Sequence, residues 1–197
     1  STASQIKLYF DLLKRKLVTE EELINAFKPE QLSELLHPVI DESSVKNFEK
    51  VVGGISGAPG AAVGRVYFST DDLLEAKKLA KQKNEDTRCI LLMCATYAGD
   101  VKAIEEATGV LSNEGGYSAH ASVVARQYGK ISLVAPDMVI TGKKAKIGDM
   151  VINSGDYITL NVPYYGAPAV YKGEANLVQP NPDKLGLFDI VNVCKKH

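Results

Sequence analysis

Residues 115–126 have the sequence Gly-Gly-Tyr-Ser-Ala-His-Ala-Ser-Val-Val-Ala-Arg. The two glycines predict a turn, Ser118 is placed to cap a helix, and His120 falls in the first turn of that short apolar helix. A helix N-terminus offers N–H groups that have no partner within the helix, together with the positive end of the helix dipole. An imidazole at this place can accept a phosphoryl group, hold it and pass it on. The stretch therefore predicts a histidine that carries phosphate rather than one that binds a metal.

The residues around His120 have expected supporting roles. Gly115 and Gly116 allow the backbone to approach a bound group closely. Residues 123–125 are apolar and predict a rigid, buried anchor behind the histidine. Arg126 suits either the balancing of a phosphate charge or the capping of an outer helix face, and its spacing does not decide between them. Ser122 is either a polar neighbour of the site or a surface residue.

The composition narrows the class of protein. The chain has 197 residues, is 45% hydrophobic and 24% charged, and carries a formal net charge of -1. These values are typical of a globular domain and do not indicate a nucleic-acid groove or a surface that binds anionic membranes. No apolar run is long enough to span a bilayer, and the N-terminus lacks the pattern of a signal peptide. The chain begins with Ser1 rather than Met, which suggests a piece of a longer polypeptide.

The cysteines and histidines favour a cytoplasmic protein without a metal site. The three cysteines are an odd number, which argues against a disulfide framework and favours a reducing compartment. Cys89 and Cys94 fall in a predicted strand, on opposite faces, and we interpret both as core thiols. Three histidines are too few for a histidine-rich metal site.

The pattern along the chain predicts one α/β domain between two connecting segments. Residues 1–51 are expected to form a helical linker, because their apolar residues recur at helical spacing and a capping box begins at Thr19. Residues 52–176 are expected to form the compact domain. Residues 177–197 contain loop signals and predict a second linker.

Within the domain, the glycine-rich residues 53–64 lack the spacing of a phosphate-binding loop and predict a close-packed loop. Leu79 is expected to face inward from its helix, beside a solvated face of lysines, and Gly109 is expected to end the next helix. Residues 143–172 predict short β segments separated by glycine–aspartate turns. The other expected elements are helices at 71–83 and 99–108, a helix that carries His120 and stops at Gly129, and strands at 65–68, 88–94, 110–111 and 131–135.

The same stretch also resembles the pattern of a second chemistry. Residues 116–120 approach the G-x-S-x-G pattern of a serine nucleophile elbow, with His120 in place of the last glycine. Such an enzyme needs a catalytic histidine after its acid, and the later histidine is the final residue, His197. A bulky histidine also suits the close-packed end of the elbow poorly. A serine hydrolase is therefore the weaker interpretation.

Several segments resemble one enzyme family. Residues 115–126 resemble the G-G-x-T-S-H-A-A-V-V-A-R signature of the phosphoenolpyruvate-utilising enzymes. Residues 57–64 look like that family's S-P-G-A-A-x-G loop, and residues 155–161 look like its G-D-x-I-x-L-D segment. Upstream, residues 17–38 are similar to the pyruvate phosphate dikinases of the family. The resemblance covers nearly the whole chain.

The resemblance implies a fold and a set of site residues. The fold would be a swivelling β/β/α phosphohistidine domain with an N-terminal helical segment. His120 would be the carrier nucleophile, phosphorylated on Nε2. Ser118 also takes the place of a threonine that is regulatory in some members. The residues that the resemblance places near the phosphate are Gly115, Gly116, Ser118, Ser122 and Arg126.

The resemblance also implies partners within the same polypeptide. An ATP-grasp domain would phosphorylate the histidine from ATP and inorganic phosphate with Mg²⁺, and a (β/α)8 domain would exchange the phosphoryl group with pyruvate and phosphoenolpyruvate. The carrier domain itself would bind no cofactor, no metal, no nucleic acid and no membrane. The full enzyme would be a phosphotransferase, and the resemblance leaves open whether it is a homodimer. The isolated chain would not catalyse the complete reaction.

Two departures from the signature keep other hypotheses open. Ala119 replaces the serine before the histidine, and Glu114 replaces an arginine before the glycine pair. These changes motivate a second hypothesis, a degenerate swivel module with a structural or regulatory role. A third is the carrier domain of a phosphoenolpyruvate synthase, which shares the histidine signature. The upstream helical similarity favours a dikinase over that synthase.

Overall fold

The computed structural model of the chain describes residues 38–95, 100–114, 120–163 and 166–179. Nearly all of them belong to one compact unit, Ile40–Leu177, and residues 38–39 and 178–179 belong to a second. The helices predicted before residue 38 lie outside the described residues, as do Gly115, Gly116 and Ser118. The linker roles of residues 1–51 and 177–197 stay predictions.

The described residues alternate between strands and short helices. The helices are α1 (Thr70–Gln82), α2 (Val101–Glu106) and α3 (His120–Gln127), and Glu42–Val45 forms a 3-10 helix. The strands are β1 (Val39–Ile40), β2 (Glu49–Val52), β3 (Ile55–Ala58), β4 (Gly60–Tyr67), β5 (Cys89–Met93), β6 (Gly109–Ser112), β7 (Ile131–Val134), β8 (Val139–Thr141), β9 (Lys144–Ile147), β10 (Met150–Asn153), β11 (Tyr157–Val162), β12 (Ala169–Lys172) and β13 (Leu177–Val178). The α/β class predicted from the sequence is confirmed.

Four parallel strands form the centre of an eight-stranded sheet whose order is β2-β12-β11-β4-β5-β6-β7-β3. The strands β4, β5, β6 and β7 pair in parallel, whereas the strands on either side of them pair antiparallel. Each parallel connection contains one helix, and α1 contacts α2, which contacts α3. Because such crossovers are right-handed, strands added in one direction place all three helices on one face of the sheet.

The buried strand β5 separates two hydrophobic cores. Ile90 and Leu92 face a core shared with the second sheet, while Cys89 and Leu91 face a core shared with the helices. Alternate residues of a strand point to opposite faces, and a parallel strand covered on both faces is apolar throughout. The continuous apolar run predicted for 88–94 is therefore a central strand, and only its bounds differ.

A three-stranded antiparallel sheet, in the order β10-β9-β8, covers the other face of the large sheet. Ala145 and Ile147 of β9 and Met150 and Ile152 of β10 are buried in the core shared with the large sheet. The domain thus has three layers, in the order sheet, sheet and helices. β1 and β13 form a separate two-stranded sheet.

The glycine pair Gly53-Gly54 carries the chain from one edge of the large sheet to the other. It joins β2 and β3, which lie at opposite ends of the strand order. Both glycines have positive φ, +129° and +106°. The Gly53 N–H donates to the Pro168 carbonyl at 2.8 Å, and a Cβ on Gly54 would lie 2.6 Å from the Val134 carbonyl oxygen. The two edges therefore approach each other at this corner.

The structure corrects the sequence interpretation of residues 39–64. The stretch assigned to a helical linker contains β1, the 3-10 helix and β2 where it meets the domain. β2 pairs with β12, because its Val51 and Val52 suit a strand better than a helix. The backbone is close-packed at Gly57 and Gly64. Most of residues 53–64 belong to the strands β3 and β4 rather than to a loop.

Three smaller predictions are also wrong. Leu79 is 46% exposed, because Leu73 and Ala80 supply the buried face of α1. Cys94 is exposed beyond the end of β5, so of these two cysteines Cys89 alone is a core thiol. Gly109 begins β6 instead of ending a helix, since α2 ends earlier.

A cluster of ion pairs lies just before the start of β5. The Asp86 carboxylate accepts hydrogen bonds from Arg88 Nη2 at 2.9 Å and from the Tyr157 hydroxyl at 2.9 Å. Arg88 Nη2 also donates to Glu174 Oε1 at 2.6 Å. The hydrogen bonds from Arg88, and after them the one from Tyr157, lower the pKa of Asp86 to about 2. The cluster joins β5 to β11 and to the segment after β12.

The corner glycine allows a test of the sheet closure. Gly54→Ala should lower the free energy of unfolding by about 3 kcal/mol or more, because it combines a strained φ with a backbone clash. Gly129→Ala is the matched control: its φ is +68° and nothing lies within 4 Å of its Cβ position. The control should cost about 1 kcal/mol. If urea unfolding shows the same loss of unfolding free energy for both variants, the close approach of the two sheet edges at Gly54 is contradicted.

The Asp86 cluster predicts a pH dependence of stability. Because the pKa of Asp86 is lower in the folded than in the unfolded chain, its contribution is present above about pH 4 and is lost as the pH falls through 2. Asp86→Asn should remove on the order of 1–2 kcal/mol at pH 7 and little at pH 2. The variant should still lose some stability at low pH, because Lys77 lowers the pKa of a second carboxyl group, that of Glu106, to about 2. Parallel wild-type and variant curves from pH 7 to 2 would contradict the assignment.

Candidate functional site

His120 is the first residue of α3 and is exposed. The helix follows β6, so it begins at the edge of the sheet where the parallel strands end. The helices α1 and α2 follow β4 and β5 and begin at the same edge, and Thr70 Oγ1 donates to Asp100 Oδ1 at 2.7 Å between their starts. The predicted place of His120 in the first turn of a helix is confirmed. Ligands of open α/β sheets bind at this edge.

One side of α3 packs on the sheet and the other faces solvent. Ala121, Ser122, Val124 and Ala125 are buried. Val123 is 46% exposed, so the prediction that residues 123–125 form a buried anchor is wrong for this residue. In an α-helix, residues three apart lie on neighbouring positions of one face. Val123 therefore shares the solvent face with His120.

The helix lies against a bulge in the edge strand β3. Ser56 pairs with Leu133 and Ala58 pairs with Ser132, which leaves Gly57 as an extra residue without a partner on β7. A bulge interrupts the ladder and redirects the backbone groups of the extra residue. Gly57 lies directly beneath α3, because a Cβ placed on it would meet Ser122 Oγ and would lie 2.7 Å from Ser132 Oγ.

Two of the predicted site residues contact this bulge. Ser122 is fully buried, and its Oγ lies 3.3 Å from Ser132 Oγ. Arg126 Nη1 donates to the Gly57 carbonyl at 2.5 Å. The structure therefore places Ser122 in the core and directs Arg126 towards the sheet. Gly57 and Ser132 were not predicted as neighbours of the site, since nothing in local spacing relates them to residue 120.

The segment before the glycine turn is tied to neighbouring strand ends. The Glu114 N–H donates to the Cys94 carbonyl at 3.1 Å, and Asn113 Nδ2 donates to the Met138 carbonyl at 3.0 Å. Hydrogen bonding to the Glu114 carboxylate raises the pKa of the Cys94 thiol. The Glu114 side chain thus has a local partner, the thiol of Cys94.

The described residues contain no group of three or more histidine, cysteine, aspartate or glutamate side chains placed to hold a metal ion. No helix among them is long and apolar enough to cross a membrane. The described part of the site presents an exposed imidazole at a helix N-terminus.

Comparison with known proteins agrees with this geometry. Residues 85–162, which include β5 to β11 and the histidine, match the family model described as the mobile domain of PEP-utilising enzymes. This part of the chain therefore belongs to the mobile-domain family of the PEP-utilising enzymes.

Relatives of this mobile domain are much longer proteins. The pyruvate, phosphate dikinase of Treponema pallidum (strain Nichols) is 60% identical over 99% of this chain and 22% of its own length. The enzyme of that name from Clostridium symbiosum is 31% identical over 86% of this chain and 19% of its own length. The one from Rickettsia prowazekii (strain Madrid E) is 33% identical over 89% of this chain and 19% of its own length. The chain spans about a fifth of these relatives.

Among solved structures, a muramoyltetrapeptide carboxypeptidase from Oxalobacter formigenes matches 75% of this chain and 56% of that chain. Its TM-score is 0.37 at 9% identity, and the likeness carries no argument about fold or function.

The packing beneath α3 in the mobile domain gives a double-mutant test. Gly57→Ala should cost about 2 kcal/mol of unfolding free energy, because its Cβ enters the space of two buried hydroxyl groups. Adding Ser122→Ala removes one of those groups and should recover at least about 1 kcal/mol relative to the sum of the single changes. Chemical denaturation of the four proteins measures this coupling. Additive losses would show that Gly57 and Ser122 do not pack together.

Proposed function

We propose that the chain is the phosphoryl-carrier domain of a pyruvate phosphate dikinase-type phosphotransferase, with His120 as the carrier. The observation that carries the proposal is the exposed imidazole at the start of α3, inside the part of the chain that matches the mobile domain. Three relatives of the whole chain bear the dikinase name, which favours that enzyme over a phosphoenolpyruvate synthase.

The position of His120 suits reversible phosphoryl transfer. Its ring is accessible, so a nitrogen can approach phosphorus in line with the leaving oxygen. With phosphoenolpyruvate as donor, the N–P bond forms as the P–O bond breaks and pyruvate leaves as its enolate, which then takes up a proton. The N-terminal end of α3 stabilises the negative charge of the phosphoryl group once it is on the imidazole.

The departures in the signature are compatible with this chemistry. Glu114 and Ala119 are the two departures that motivate the degenerate module, and of these the Glu114 carboxylate interacts with the Cys94 thiol, whose pKa it raises. We favour an active carrier over a module without phosphoryl traffic, because relatives that match 86–99% of this chain bear the dikinase name.

The carrier needs two partner sites, which we place in other parts of a longer polypeptide. An ATP-grasp domain would load His120 from ATP and phosphate with Mg²⁺, and a (β/α)8 domain would exchange the group with pyruvate. The domain would swivel between them on the segments that flank its compact unit, Ile40–Leu177. Gly115, Gly116 and Ser118 would line the phosphate, and Ser118 is a candidate regulatory position. We place the enzyme in the cytoplasm.

Labelling of His120 tests the proposal. The full-length protein incubated with phosphoenolpyruvate labelled in its phosphoryl group should take up an acid-labile, alkali-stable label. His120→Ala should abolish it, because no other group would accept the phosphoryl group. The matched controls are His37→Ala and His197→Ala, which replace the other two histidines and should keep the label.

Two results would contradict the carrier role. One is a label that survives in His120→Ala. The other is an unlabelled wild-type protein that demonstrably binds phosphoenolpyruvate, which would support the structural module instead.

A further inference from the structure

The bulge at Gly57 leaves a backbone carbonyl outside the strand ladder. Gly57 has no partner on β7, whereas its neighbours Ser56 and Ala58 are paired. A buried carbonyl without a partner is costly, so it requires a donor from elsewhere. Arg126 supplies that donor from 69 residues away in the sequence, with Nη1 at 2.5 Å from the carbonyl oxygen.

The contact fixes α3 at the end opposite to His120. Arg126 is in the last turn and His120 is the first residue of the helix. Six residues of α-helix rise about 9 Å, so the two side chains leave the axis far apart. The Arg126 guanidinium is tied to the sheet through the Gly57 carbonyl. Its positive charge also suits the C-terminal end of a helix.

A second contact fixes the helix one half turn beyond His120. Ser122 Oγ and Ser132 Oγ lie 3.3 Å apart, and both residues are fully buried. Both hydroxyl groups occupy the space above Gly57 that a Cβ would need. Gly57 therefore supports the helix in two ways. Its carbonyl accepts a hydrogen bond from Arg126, and its lack of a side chain leaves room for the Ser122 hydroxyl group.

We propose that Arg126 is a positioning residue: together with the bulge at Gly57, it fixes the orientation of α3 and so the place from which His120 meets its phosphoryl donor and acceptor. The inference rests on the proposed function and gives Arg126 a role that differs from both of those that the sequence left open. Small displacements of a reacting group lower transfer rates strongly, because in-line attack tolerates little misalignment.

The test is made in the full-length protein with labelled phosphoenolpyruvate. Arg126→Met keeps the unbranched stem and removes the donor. Its single-turnover rate constant for phosphorylation of His120 should fall roughly 10- to 100-fold. The phosphoenolpyruvate concentration that gives half the maximal rate should stay unchanged. Arg126→Lys should recover most of the rate, because an ammonium group can donate to the Gly57 carbonyl.

A second readout separates positioning from contact with the phosphate. The pKa of the phosphoryl group on His120, followed by ³¹P NMR, should be the same in wild type and Arg126→Met. A guanidinium that touched the phosphoryl group would lower that pKa by favouring its dianion, so its removal would raise the value. Such a rise would overturn the positioning role.

Lys77→Met is the matched control. Lys77 Nζ donates to the Glu106 carbonyl at 2.7 Å and likewise ties one helix to a carbonyl at the end of another, but neither helix carries His120. The control should transfer at nearly the wild-type rate. If it loses as much rate as Arg126→Met, general destabilisation explains both and the inference fails.

Should Arg126→Met not fold, Gly57→Ala disturbs the same contact with Arg126 present and should also lower the transfer rate. A wild-type rate in either folded variant overturns the inference while the proposed function stands. An unlabelled wild type contradicts the proposed function itself, and the inference with it.

Discussion

The parallel pairing of β4, β5, β6 and β7 is the constraint on which the rest of the domain depends. Right-handed crossovers in one direction place α1, α2 and α3 on one face and start all of them at one edge of the sheet. The opposite face is then free for the three-stranded sheet, whose apolar side chains complete the core. His120 is exposed because it lies at the boundary between this buried framework and the loops at its edge.

The bulge in the edge strand β3 forms the surface on which α3 packs. A bulge releases one carbonyl from the ladder, and that carbonyl binds Arg126. The absent side chain of Gly57 gives Ser122 and Ser132 their space. The glycine-rich segment thus serves the histidine indirectly, through the helix that bears it. It contacts the helix through backbone and buried hydroxyl groups, and its glycines do not form a phosphate loop.

Features that depend on local sequence signals were predicted correctly, whereas several that depend on contacts distant in the chain were not. The run around Leu91 predicted a central strand because burial on both faces leaves a continuous apolar pattern. The start of α3 at His120 followed from local turn and helix signals. Leu79 and Val123 were placed wrongly, since both are apolar residues of helices whose inward direction is set by the sheet. The strands at 49–64 were missed because their pairing partners are distant in the chain.

The sequence by itself determined the α/β class, the family and the histidine at the start of a helix. Each of these depends on neighbours within a few residues or on a contiguous motif. Only the tertiary structure decided the roles of Arg126, Ser122 and Gly57, and which side of α3 faces solvent. Those roles depend on the register of β3 against β7 and on contacts between segments 69 residues apart. Register and long-range packing leave no local pattern, because they are fixed only when the sheet and its helices assemble.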